Sequence, residues 1–138
     1  MKCQDMRAAS RGISLIEVLV AMTIFAFGIL GMLGMQARAI AYSSDAKYRT
    51  DATLLTDGLI NDIWVNRTNI ATYAYTGSGT APAVVQPWLT EVQSTLPKGG
   101  ASVAVNGNQV AVTVTWQPPN DASGAQHQHT EIATVQNP

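Results

Sequence analysis

Cysteine is all but missing. Cys3 is the single one in 138 residues, so no intramolecular disulfide can close a loop. Only Met1 and Lys2 precede it, so it does not follow the apolar stretch that a lipid-modified cysteine needs. Charge is scarce as well: eight Lys or Arg stand against nine Asp or Glu, for a net charge of −1. Lys2, Arg7 and Arg11 come before everything apolar, which leaves five cations after residue 12 against eight acids. A mildly acidic body excludes the basic face of a nucleic-acid footprint, and no nucleic-acid partner is expected. Gly-x-Ser-x-Gly, Cys-x-x-Cys and His-Glu-x-x-His are all absent, so no motif argues for catalysis and none calls for a cofactor. Gly77-Ser78-Gly79 lacks the preceding strand and following helix of a phosphate cradle. His127 and His129 form a His-x-His pair with only Asp121 and Glu131 as nearby acids. Solvated loop histidines are the plainer reading, and no metal is assigned.

What the chain does have is one long apolar run. From Val18 to Met35, eighteen residues carry no charge and no polar group larger than the Thr23 hydroxyl. A helix of that length reaches ~27 Å, close to the hydrocarbon thickness of a bilayer. The basic residues ahead of it place residues 1–12 on the cytoplasmic side and the remainder outside. A cleaved secretory signal would have Ala37-Arg38-Ala39 as its small-x-small site. Against that reading, the run is too long, a carboxylate stands at its front edge, and an arginine lies inside the site. A plain single-pass anchor is the other alternative.

Glu17 separates these readings from a sharper one. A charge at the centre of a membrane helix costs about 2.5 to 3.5 kcal/mol, less near an interface, so such a residue is by default a functional candidate. No Lys or Arg lies between Arg11 and Arg38. A new amino terminus would supply the missing cation: cleavage between Gly12 and Ile13 leaves an α-ammonium group four residues, about one helical turn, before Glu17. Within one chain, or between two chains staggered by a turn, that pair neutralises itself, and the helix macrodipole also favours the carboxylate there.

Gly12-Ile13-Ser14-Leu15-Ile16-Glu17-Val18, behind a basic leader ending in Arg11, resembles the class III signal of type IV pilins and type II secretion pseudopilins. The extension through Ala21 and the run Gly28 to Gln36 are most similar to PilV-type minor pilins. The resemblance implies removal of the leader 1–12 by a prepilin peptidase that requires Gly12, and N-methylation of Ile13 by the same class of enzyme. It implies that Glu17 pairs with a neighbouring subunit's methylated terminus during polymerisation. The partners it brings are other minor pilins, the major pilin and the pilus assembly platform. The location it implies is the inner membrane, with leader cytoplasmic and headpiece periplasmic, and then the pilus at the cell surface, where such filaments serve adhesion and twitching motility. A minor pseudopilin of a type II secretion system is the first alternative, and a membrane-anchored periplasmic binding module with no polymer role is the second. Ile13 stands where major pilins usually have Phe, and the proline of many major-pilin membrane helices is absent, as is their disulfide-closed loop. Gly28, Gly31 and Gly34 each cost up to ~1 kcal/mol relative to Ala in a helix. They read either as a packing or melting point for fitting into a filament or as ordinary membrane-helix glycine.

The expected fold class is α+β and pilin-like. A transmembrane helix half over 13–36 continues as an amphipathic half over 37–66, where Tyr48, Ala52, Leu55, Leu59 and Ile63 repeat on one face. A headpiece over 67–138 follows. It begins with an aromatic-rich loop carrying Tyr73 and Tyr75 and the tract 76–82, then a short helix from Pro87 to Leu96 ended by Pro97 and Gly99-Gly100. Alternation over 101–105 and 110–116 around Asn106-Gly107 predicts a hairpin with those two residues as its loop and Val103 opposite Val110. Val103, Val105, Val110, Val112, Val114 and Trp116 then share the face that covers the helix stripe. Residues 118–129 read as a polar loop and 130–135 as a third antiparallel strand.

Overall fold

The structure is a computed structural model that describes residues 14–119 and 124–136. Two compact units divide the chain, Met1–Ala39 and Ile40–Pro138. Helix α1, Leu15–Val65, contributes residues to both. Ser14 precedes it, and the Ser14 carbonyl accepts the Glu17 and Val18 amides at 2.9 and 3.3 Å. From Leu15 to Ala39 every residue is exposed. The apolar run keeps one polar side chain quiet internally, because the Thr23 hydroxyl donates to the Leu19 carbonyl at 2.8 Å.

From Ile40 onward the molecule has a closed core. Ala52, Leu55, Leu59, Ile60 and Ile63 of α1 pack with Trp88, Val92, Val112, Val114 and Trp116, all buried. The expected stripe is therefore the packing face, with Tyr48 partly buried at its start. Thr56 and Ile60 widen that face beyond the expectation. α1 stops at Val65 and a 3₁₀ helix, Arg67–Tyr73, stands where the sequence reads as loop. Asn66 explains the junction: its side-chain amide donates to the Tyr73 hydroxyl at 2.9 Å. That bond ties the buried Tyr73 to the end of α1, and the 3₁₀ segment between them is kinked at Asn69.

The short helix α2 runs Gln86–Thr95 with Pro87 in its first turn, where the missing N–H costs nothing, and it buries Trp88 and Val92. The Trp88 indole donates to the Leu55 carbonyl at 2.8 Å, fastening α2 to α1. After it Lys98 takes a positive φ of 51°. Gly99 then passes so close to α2 that a Cβ would lie 2.6 Å from the Val92 carbonyl oxygen.

Strands β1 (Gly100–Asn106), β2 (Gln109–Trp116) and β3 (His127–Thr134) form one antiparallel sheet in the order β1-β2-β3. Two expectations are corrected here. The hairpin loop is Gly107-Asn108, with Asn106 paired to Gln109 and Val103 to Val112 rather than to Val110. Only Gly107 of those two has positive φ, +59°, as a type II′ turn with glycine first requires; type I′ would need it at both. The Asn108 carbonyl meanwhile accepts the Val135 amide at 2.7 Å. The register is displaced by two residues, so every side chain keeps its expected face. Val110, Val112, Val114 and Trp116 are fully buried.

The second correction concerns the histidines. β3 starts at His127, not Thr130, and pairs with β2 along all of Gln109–Trp116. His127 and His129 are strand residues on the inward-facing row with Glu131 and Ala133, not solvated loop residues. His127 lies opposite Trp116, with ring centroids 5.8 Å apart. At the other edge, Tyr75 closes β1 by a two-bond bridge to Val103, at 2.9 and 2.7 Å. The long apolar N-terminal helix and the small three-stranded sheet together make an α+β, pilin-like layout.

Candidate functional site at the N-terminal helix

Expected cleavage at Gly12 and methylation at Ile13 fall outside the described residues. Glu17 is the first described site residue, in the first turn of α1, where the helix dipole favours a carboxylate. It shares a surface strip with Val18, Ala21, Met22 and Phe25, all exposed. Among the described residues Glu17 has no ion-pair partner. The next cation along the same helix, Arg38, is ~31 Å away by helical rise. Chemically, then, this end of α1 offers one carboxylate, positioned by a rigid helix and surrounded by apolar side chains, with room for a cation from outside the described chain.

Gly28, Gly31 and Gly34 all stay helical, and a Cβ on any of them would meet nothing within 4 Å. Among the described residues nothing uses their smallness. The helix that carries them is long and apolar enough to cross a membrane by length and composition, and it fits membrane anchoring.

Sequence reasoning missed a second polar constellation, between α1 and the inward row of β3. Asp45 accepts from the Arg49 Nε at 3.0 Å and stands 3.3 Å from the His127 Nδ1. The Thr56 hydroxyl, fully buried, lies within hydrogen-bond reach of the Ala52 and Thr53 carbonyls and of the Glu131 carboxylate, at 3.1, 2.8 and 3.3 Å. The available signal was Glu131 itself, an acid at the strand position that should face inward. No three of His, Cys, Asp and Glu come together as a metal site among the described residues. The constellation acts as polar stitching between helix and edge strand.

One family model matches the chain, that of the prokaryotic N-terminal methylation motif, over residues 7–33. The match covers Gly12, Ile13 and Glu17 and ends just short of Gly34. No curated protein and no solved structure matches the chain. The motif supports a type IV pilin-like or pseudopilin protein, and as a class III signal peptide it implies processing by a prepilin peptidase.

Proposed function

We propose that the protein is a minor pilin of a type IV pilus, inserted by its N-terminal helix into the initiating or tip complex of the filament. Residues 1–12 are the leader, 13–36 the transmembrane and polymerisation half of the helix, 37–66 the amphipathic half, and 67–138 the headpiece. The observation that carries the proposal is Glu17. A carboxylate with no ion-pair partner among the described residues, at the front of a membrane-length apolar helix and within a methylation motif, is costly unless a cation meets it. A neighbouring subunit's methylated Ile13 supplies that cation. On this reading Gly28, Gly31 and Gly34 serve close packing against neighbouring helices in the filament, since no described residue packs against their open flanks. The chain performs no catalysis of its own. The prepilin peptidase acts on it, and other minor pilins, the major pilin and the assembly platform receive it from the inner membrane.

The test is the intact mass and N-terminal sequence of the protein from its native membranes. A chain beginning at N-methylated Ile13 is expected, and Gly12→Val should retain the full leader; a normal mature mass in that variant overturns the processing step. Glu17→Val should insert as well as the wild type yet leave the pilus fraction depleted of the protein. Undiminished incorporation would remove the assigned role of the carboxylate.

A further inference from the structure

A groove of about 360 Å³ opens between α1 and α2, on the side of the headpiece where Trp88 is fastened to Leu55. Leu55, Gly58, Pro87 and Trp88 form its floor and walls, exposed Leu54 stands at its rim, and the carboxylates of Asp62 and Glu91 belong to the two helices on either side. No cation lines it. Among the described residues neither Asp62 nor Glu91 has an ion-pair or side-chain hydrogen-bond partner.

Gly58 adds a separate observation. It sits in the interior of α1, where glycine is less favourable than alanine. That cost is not offset by close packing, because a Cβ there would meet nothing within 4 Å. What the missing side chain does is leave the groove floor open.

We propose that this groove receives an arginine side chain from another protein, with the guanidinium shared between Asp62 and Glu91 and the aliphatic stem lying over Gly58 and against Leu54. Two carboxylates carried on separate helices suit a planar fork with five N–H donors better than a compact ammonium. The guanidinium is also the more weakly hydrated cation, so it gives up less water on entering the groove. The methylene stem covers the exposed leucine while the charged head stays at the polar rim. This partner site goes beyond the assembly role proposed for the N-terminal helix and stands without it, since no residue of 1–39 takes part.

The probe is N-acetyl-arginine methylamide, titrated into the full chain in detergent micelles with the tryptophan indoles ¹⁵N-labelled. The Trp88 N–H signal should move saturably while that of buried Trp116 stays in place. The neutral citrulline analogue should leave Trp88 unmoved, and the lysine analogue should bind more weakly than the arginine one. Asp62→Asn with Glu91→Gln should weaken binding about tenfold or more, the size of losing charge-assisted hydrogen bonds. Gly58→Leu should fill the groove and abolish the shift, with the Trp116 signal at its wild-type position certifying that each variant is folded. A Trp88 signal that ignores the arginine probe, follows citrulline equally, or responds unchanged in the double variant overturns the site. A lysine probe that binds as well as arginine overturns the guanidinium assignment.

Discussion

Leu15–Ala39 and the region from Ile40 onward are both rich in apolar side chains, and they dispose of them in opposite ways. In the first, no side chain is buried; Leu15, Phe25, Phe27 and Met35 are each exposed by more than two thirds. In the second, seventeen buried apolar side chains among the described residues, Trp116 included, close into one core. The difference teaches where each region obtains its stabilisation. The region from Ile40 onward obtains it from its own chain, whereas residues 15–39 must obtain it from a surrounding medium or neighbour, because burying apolar surface is worth about 25 cal/mol per Å² wherever the covering atoms come from.

Substitutions can test that contrast from both sides. The largest effect is expected at Trp116, which is fully buried between helix and sheet. Trp116→Ala should lower the headpiece's unfolding free energy by about 3 to 5 kcal/mol in a denaturant titration of the full chain in micelles. A loss under 1 kcal/mol would mean that the core is less closed than its burial implies. A smaller but clear loss is expected at Gly99→Ala, where the new Cβ meets the Val92 and Leu96 carbonyl oxygens at 2.6 and 3.0 Å. Those are backbone atoms, so β1 and α2 must separate, at a cost of about 1 to 3 kcal/mol. The least change is expected at Phe25→Ala, within ±0.5 kcal/mol in the same titration, since nothing in the headpiece core depends on it. A large change there would break the contrast by showing that the apolar helix half contributes to the headpiece's own stability.

Much of this was legible before any coordinates. The helix stripe from Tyr48 to Ile63, the tryptophan-bearing α2 and the alternating valines of β1 and β2 are local periodicities, and periodicity survives translation into structure because it reports which face is buried. Three features were not legible for a shared reason. The 3₁₀ helix depends on Asn66 reaching Tyr73, the hairpin register on the Val135 amide reaching Asn108, and the early start of β3 on pairing with the whole of β2. Each is decided by a partner outside the segment concerned. Asn-Gly does mark the turn, but the two-residue loop lies one position later, a choice that the alternating valines alone do not make. At the candidate site the reverse holds: Glu17 stood out in the sequence because it violates its surroundings, and the structure locates it at the helix start with no ion-pair partner among the described residues. The groove left no sequence signal beyond Gly58, because Asp62 and Glu91 come to line one groove only through tertiary packing.

The Thr56–Glu131 contact joins residues 75 positions apart, and the fully buried Val135 lies later still. The core face of α1 is therefore synthesised long before the strand that completes its cover. While the chain is being delivered, Leu59 and Ile63 have no β3 against which to settle, so the headpiece cannot finish folding until Val135 is available. Closure of the core is therefore the last event in its folding, and the half-made core is the interval most exposed to proteases and misassembly.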